Sequence, residues 1–159
     1  MVMNSILMRK EPEGKQAVLG SSGAPLTLAC STSKGKPSRD YQYAKAVMDS
    51  QPELWHALME TRSTVISGYL VAKARAGVNV LQRFESWGGS IRPSTYRTCV
   101  LPYTLRIFEA VKQTGAPAIQ FGTGTGALPH VMIQAGGDVM SVDWRLDLDT
   151  AWKQMGYGF

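Results

Sequence analysis

The strongest constraint on this chain is an alternation: short apolar runs trade places with longer amphipathic stretches about four times between Gln16 and Met155. Parallel strands need a long crossover between them, so this order of strand, loop and helix predicts an α/β chain with a parallel sheet and right-handed connections. Gln16–Gly20, Val78–Phe84, Ala118–Phe121 and Asp138–Asp143 read as the four strands, all four of them buried. Between the first two, Gly20–Pro25 has turn chemistry, and Ser31–Arg39 is a loop rich in Ser, Thr, Lys and Gly.

Helical spacing fills the rest. One helix starts near Asp40 and breaks at Gln51-Pro52, because proline disfavours helical geometry in the residue before it. The next places Leu54, Leu58, Val65 and Tyr69 on one face, beside Trp55, Met59, Ile66 and Leu70, and ends at Gly77. Pro93 opens another, with Tyr96, Val100, Tyr103, Ile107 and Ala110 on its inner face and a stop at Gly115. Ala127–Ala135 is a short helix, and Leu148–Met155 is the last. The 159 residues suit one domain, residues 1–159, with no internal repeat beyond this alternation.

Composition narrows the class. Apolar residues make up 44% and charged residues 18%, enough to build a core and too few charges for a disordered tail. The sequence holds no apolar run long enough to span a membrane, and Met1–Lys10 is too short and polar for a signal peptide, so a cytoplasmic protein without a membrane partner is expected. Cys30 and Cys99 are too few for a disulfide framework, and both are expected reduced. The net charge of +5 favours an anionic partner, but the basic residues are scattered, so nucleic acid is not expected.

Two architectures fit the alternation, a doubly wound sheet and a piece of a (β/α)8 barrel, and the residues at the strand ends must choose. Gly122-Thr-Gly-Thr-Gly126 follows a strand and precedes a helix, with Asp143 at the end of the next strand. That is the pattern of a dinucleotide or adenosyl cofactor site, in which glycines admit the ligand and a carboxylate binds ribose, as in an S-adenosylmethionine-dependent methyltransferase. Against it, a Rossmann-type glycine turn comes first in its sheet, whereas one strand follows this one. The same N–H groups could instead receive a substrate carboxylate, or the glycines could simply permit a tight turn. Ser86, beside Glu85 and Trp87, offers a hydroxyl to an anion. His56 and His130 lie within helical stretches, so no nucleophilic triad is expected. Tyr41, Tyr43, Tyr96 and Tyr103 read as packing residues. No His, Cys, Asp and Glu set has metal-ligand spacing, and no metal is expected.

At these strand ends the chain resembles the uroporphyrinogen decarboxylase family. The matching words are Gly23-Ala-Pro-Leu-Thr-Leu-Ala29, Pro37-Ser-Arg-Asp40, Pro52-Glu-Leu-Trp-His56, Phe84-Glu-Ser-Trp-Gly-Gly89, Pro93-Ser-Thr-Tyr96, Val100-Leu-Pro-Tyr103, Phe121-Gly-Thr-Gly-Thr-Gly126 and Val142-Asp-Trp144. They run in order from about residue 6 to Tyr157. The resemblance implies a TIM-type (β/α)8 barrel that acts as a homodimer on a polycarboxylate porphyrinogen, converting acetate side chains to methyls without metal or organic cofactor. Relatives that carry methyl groups to thiols bind zinc through a His-x-Cys on the third strand, where this chain has Gln120-Phe121-Gly122, so the zinc branch is disfavoured.

Residue by residue, the resemblance implies that Ser86 is the active-site serine and Phe84 the cleft phenylalanine, with Gly122, Gly124, Gly126 and Asp143 at further substrate-binding positions. Ser31 stands at the position of the active-site tyrosine. Ser21 and Leu26 replace larger aromatic residues, and Lys34 stands where an acidic residue is common. A looser pocket wall matters, since a displacement of about 1 Å can cost about a hundredfold in rate. A full barrel takes about 250 residues, so the chain is expected to hold about half a barrel, the middle of the enzyme. The substrate-binding arginines, catalytic aspartate and histidine of the flanking parts are then missing, and the chain is expected to be inactive alone. A non-catalytic half-barrel that binds porphyrin or a protein partner is the alternative. An open half-barrel exposes two strand edges and one face of its core, and self-association is expected.

Overall fold

The computed structural model describes residues 17–32 and 41–156. Strands β1 (Leu19–Gly23), β2 (Val80–Glu85), β3 (Ala118–Gly122) and β4 (Val139–Val142) form one sheet in the order β1-β2-β3-β4. Every neighbouring pair is parallel, with Leu19 opposite Val80, Leu81 opposite Ala118 and Ile119 opposite Val139. The crossovers carry α1 (Pro25–Thr32), α2 (Gln42–Ser50) and α3 (Pro52–Arg75) after β1, α4 (Pro93–Cys99) and α5 (Leu101–Lys112) after β2, and the one-turn helix α6 (Pro129–Met132) after β3. Helix α7 (Leu148–Met155) follows β4. This is the expected parallel α/β arrangement, and the sheet is not closed.

Among the described residues, the helices that build the core pack on one face of the sheet. One core cluster joins Leu26 and Ala29 of α1, Met48 of α2, Trp55 and Met59 of α3, and Tyr96, Tyr103 and Met132. The other sets Leu81 and Ala118 of the sheet against Ile66, Leu70, Ile107 and Val111. Side chains alternate across a strand, so Leu81, Arg83 and Glu85 share the helix side with their neighbours Ala118, Gln120 and Gly122. Leu19, Val80, Phe84, Ile119, Phe121 and Val139 point the other way, and none belongs to either core cluster. The expectation of four buried strands is therefore corrected: the edge strands β1 and β4 are largely open, with Leu19 46% and Val139 47% exposed.

Other boundaries differ for identifiable reasons. Gly20-Ser-Ser-Gly23, read as a turn, is strand, because pairing with β2 supplies the ladder that local propensity does not. Gln16 lies outside the described residues. Ser31 ends a helix rather than starting a loop. The turn at Gln51-Pro52 and the stop beyond Arg75, with Gly77 at φ 87°, are as expected. The helix from Pro93 breaks at Val100 (φ −130°, ψ −47°), because Pro102 has no N–H to give to the preceding turn and its ring crowds that turn's carbonyl. On α3 the buried stripe is Trp55, Met59, Ser63, Ile66, Leu70 and Lys73, while Leu54 and Val65 face solvent at 55% and 65% exposure.

Candidate functional site

In a parallel sheet all strands end on the same side, and the loops that leave those ends share one rim. On this rim stand Gly23 and Ala24 after β1, Ser86 and Trp87 after β2, Gly122–Gly126 after β3 and Asp143-Trp144 after β4. The four site segments named from the sequence are thus brought to one edge.

The start of the Ser86 loop is pinned from α1. Thr27 Oγ1 donates to Glu85 Oε1 (2.8 Å) and accepts the Ser86 N–H (2.9 Å). Ser86 is half-buried, and its hydroxyl has no hydrogen-bond partner among the described residues. Phe84, on the face away from the helices, meets Phe121 edge-on with ring centroids 5.6 Å apart.

Below the rim runs a buried polar chain. Arg83 Nη1 pairs with Glu85 Oε2 at 3.1 Å, Arg83 Nη2 donates to Gln120 Oε1, and Gln120 Nε2 donates to the Met132 carbonyl at 2.8 Å. Arg83, Glu85 and Gln120 are all buried. Burial pushes the Glu85 carboxyl above its ordinary range, and the neighbouring Arg83 charge and Thr27 hydroxyl offset only part of that. The chain ties β2, β3, α1 and α6 together, which fixes where the rim loops leave the sheet. None of it was found in the sequence. The available signal was the pair Arg83 and Glu85, two apart on a strand, with Gln120 in register.

The glycine loop is closed by Asp143. Its Oδ2 accepts the Gly124 N–H at 2.8 Å and an ion pair from Arg145 Nη1 at 2.5 Å, and its Oδ1 accepts the Arg145 N–H at 3.2 Å. Enclosure would raise the Asp143 carboxyl, but the Gly124 N–H and Arg145 outweigh it and hold the group below the usual carboxylate range. Gly124 sits at φ 66°, and a Cβ on Gly89 would overlap the Gly124 carbonyl oxygen, so two loops cross there backbone to backbone. Some of the donors that would meet a cofactor are already committed: Thr123 N–H goes to the Glu85 carbonyl, Gly124 N–H to Asp143 and Leu128 N–H to the Thr125 carbonyl. Asp143 is turned to Gly124 and Arg145 rather than held out to a ribose. The helix beyond starts at Pro129 rather than Ala127 and runs as one α turn to Met132, continued by a 3-10 turn to the expected end at Ala135. Nothing here supports the adenosyl-cofactor reading.

Ser31 lies on α1 and donates to the Thr27 carbonyl one turn back at 2.8 Å, so its hydroxyl is occupied by its own helix. Cys30 beside it is half-buried, and burial, with the Glu85 charge added, pushes its thiol up to about 12. His56 shares a hydrogen bond with the Tyr103 hydroxyl at 2.5 Å, and His130 lies on α6. Tyr96 and Tyr103 are core residues, and Tyr41 packs on Trp87 at 4.5 Å, whereas Tyr43 is exposed. Lys34 lies outside the described residues. Among the described residues no group of three or more His, Cys, Asp and Glu is placed to hold a metal ion, and no helix is long and apolar enough to cross a membrane.

Four parallel strands alternating with helices, with the strand-end loops on one rim, define this chain as part of a (β/α)-barrel protein. A family model described as uroporphyrinogen decarboxylase (URO-D) matches residues 2–158. The chain belongs to the uroporphyrinogen decarboxylase family. It is 43% identical over 145 residues to a uroporphyrinogen decarboxylase of Rhodococcus opacus (strain B4), covering 91% of this chain and 41% of that protein. The corresponding protein of Sorangium cellulosum (strain So ce56) is 44% identical over 151 residues, covering 95% of this chain and 43% of the relative. That of Pelobacter propionicus (strain DSM 2379) is 41% identical over 152 residues, covering 96% and 45%. The chain therefore spans less than half the length of these relatives.

Proposed function

We propose that residues 1–159 form one partial barrel domain that supplies one wall of a uroporphyrinogen decarboxylase cleft. The observation that carries this reading is the family match over residues 2–158, together with the gathering of Phe84, Ser86, the glycine loop and Asp143 on one rim. The reaction is loss of carbon dioxide from the acetate side chains of uroporphyrinogen to give coproporphyrinogen. Protonation of a pyrrole makes an electron sink, the carboxylate leaves as carbon dioxide, and a proton takes its place on the remaining carbon. A fixed carboxylate facing the ring would stabilise the cationic intermediate.

In this division of labour the free Ser86 hydroxyl donates to a substrate carboxylate, and the Phe84 and Phe121 rings form an apolar floor for the macrocycle. Asp143 acts through the loop it clamps. The fixed carboxylate is not Glu85, which is buried on the helix side and held by Arg83 and Thr27. It would have to come from elsewhere in a complete barrel. Ser31, in the place of a tyrosine, brings no hydroxyl to the rim. The chain by itself is thus a binder of the polycarboxylate rather than a working enzyme. The reading carries with it a cytoplasmic location, no cofactor, and a homodimer of the full-length enzyme.

Anaerobic incubation of the purified chain with uroporphyrinogen, followed by chromatography of the oxidised porphyrins, tests the division. Unchanged octacarboxylate with saturable quenching of porphyrin fluorescence is the expected pair of results. Less carboxylated products would overturn the claim of inactivity, and absence of saturable binding would overturn the cleft. In a full-length chimera carrying this segment, Ser31→Tyr is expected to raise turnover.

A further inference from the structure

The Ser86 N–H lies beyond the sheet that leads to it. Strand β2 pairs with β1 as far as Phe84 and with β3 as far as Glu85, so neither ladder reaches Ser86. A side chain holds that N–H instead: Thr27 Oγ1 accepts it at 2.9 Å. A hydroxyl rotates and has one proton to give, so it offers a fixed lone pair only when that proton is committed elsewhere. Thr27 commits it to Glu85 Oε1 at 2.8 Å. Glu85 cannot turn away, because its other oxygen accepts from Arg83 Nη1 at 3.1 Å, Arg83 Nη2 donates to Gln120 Oε1, and Gln120 Nε2 donates to the Met132 carbonyl at 2.8 Å. The donor sense is thus set at every link from α6 to Ser86. The flanking backbone is tied as well: the Phe84 carbonyl accepts the Ala24 N–H at 2.8 Å and the Glu85 carbonyl accepts the Thr123 N–H at 3.0 Å. On the far side, a Cβ on Gly88 would come within 2.8 Å of Glu85 Cγ, so the loop lies directly on the buried acid. Thr27 touches the Ser86 backbone only, and the Ser86 hydroxyl keeps no partner among the described residues.

We propose that Thr27 is the positioning residue of Ser86: by fixing the Ser86 backbone from the helix side, it sets where the Ser86 hydroxyl meets a substrate carboxylate, without touching the substrate itself. This role rests on the decarboxylase reading of Ser86. One torsion separates the Ser86 backbone from its oxygen, and that torsion has three staggered wells. With the N–H held, the hydroxyl therefore has three places to occupy, whereas on a loop free to swing it has many more. Hydrogen bonds weaken steeply with angle and distance, so loss of the Thr27 bond is felt at the substrate much as loss of the hydroxyl would be. The two residues are then coupled: Thr27 matters to the affinity for a polycarboxylate only while Ser86 has its hydroxyl.

Quenching of uroporphyrin fluorescence, titrated with the 159-residue chain and its variants, tests this coupling beside hydrogen exchange at the Ser86 amide. Ser86→Ala is expected to weaken binding about tenfold, the loss of one hydrogen bond to a charged group. Thr27→Val is expected to weaken it by a similar factor, to speed exchange at the Ser86 amide, and to lose no further affinity when combined with Ser86→Ala. Thr27→Ser should bind as the native chain does. Thr27→Ala removes the same bonds without setting a methyl group against the carboxylate, and takes the place of the Val variant if that one does not fold. A residue that only stabilised the fold would weaken binding by the same factor with or without the Ser86 hydroxyl, so multiplied losses in the double variant would overturn the proposal. Unchanged exchange at the Ser86 amide in Thr27→Val would do the same. So would native affinity in Thr27→Val beside weakened binding in Ser86→Ala, an outcome that leaves the decarboxylase reading standing. Absence of saturable binding by the native chain, or native affinity in Ser86→Ala, would overturn that reading and the role of Thr27 together.

Discussion

Thr27 and Glu85 meet across the helix–sheet boundary: the hydroxyl donates to a fully buried carboxylate at 2.8 Å while its oxygen accepts the N–H of Ser86. One side chain on α1 thereby sets both the rotamer of the buried acid and the departure of the loop that carries the serine. Thr27→Val keeps the shape and removes both bonds. A loss of about 1–3 kcal/mol in urea denaturation is expected, with Thr27→Ser close to the native value. A Val variant as stable as the native chain would show that the hydroxyl is not needed.

The crossing of Gly89 and Gly124 leaves no room for a methyl group, whereas a Cβ on Gly126 would enter open space at an ordinary backbone angle. Gly89→Ala is expected to destabilise by about 1–3 kcal/mol, the usual cost of overpacking, and to speed hydrogen exchange at Gly124. Gly126→Ala should stay within about 0.5 kcal/mol. Equal effects from the two substitutions would contradict the crossing.

Glu85 gives the chain a pH dependence of definite sign. Burial raises its carboxyl in the folded state above the ordinary value of 4.5, so between those two values the folded state holds the extra proton. Stability is then greatest below the ordinary value and is lost as the pH rises through the folded one. Urea midpoints measured from the ordinary carboxylate range toward neutrality are expected to fall for the native chain and to be flatter for Glu85→Gln. At the acidic end that variant is expected to lie close to the native chain, because the protonated Glu85 is likewise uncharged beside Arg83.

Asp143 has the opposite sign. Its carboxyl is held below the ordinary value of 3.8, so the clamp on Gly124 is complete above that value and opens as the pH falls through the folded one. Exchange at the Gly124 amide, compared between native chain and Asp143→Ala at neutral pH, should be faster in the variant. Equal rates would mean that the loop holds itself closed.

Cys30 should be a poor nucleophile in the folded chain. A thiol pushed from 9.0 to about 12 carries about a thousandfold less thiolate near neutrality. Alkylation mapped by mass spectrometry is expected to be slow at Cys30 in buffer and to become fast in denaturant. Rapid labelling of the native protein would place that thiol nearer solvent than the structure does.

Much of the fold was legible because it rests on local periodicity. The run Ala118–Phe121 is too short and too apolar for anything but a strand, and Trp55, Met59, Ile66 and Leu70 recur at helical spacing on the face that is buried. Gly20-Ser-Ser-Gly23 was misread because its strand conformation comes from a neighbour about sixty residues away and not from its own residues. The site was legible as segments, since Ser86, Gly122–Gly126 and Asp143 each follow a strand. It was not legible as contacts: that Asp143 turns to Gly124, and Ser31 to its own helix, depends on angles no spacing records.

The sequence by itself determined the class of fold, the four strands and their helices, and the family, because each is written in short-range pattern or in words of several residues. Tertiary structure decided which polar groups leave water together. Arg83 and Glu85 on one strand, Gln120 on the next and Thr27 on a helix belong to three separate stretches of pattern, and only the register of β2 on β3 and the seat of α1 bring them into a single chain of hydrogen bonds. It also decided which face of the sheet the helices cover, since alternation shows only that a strand has two faces.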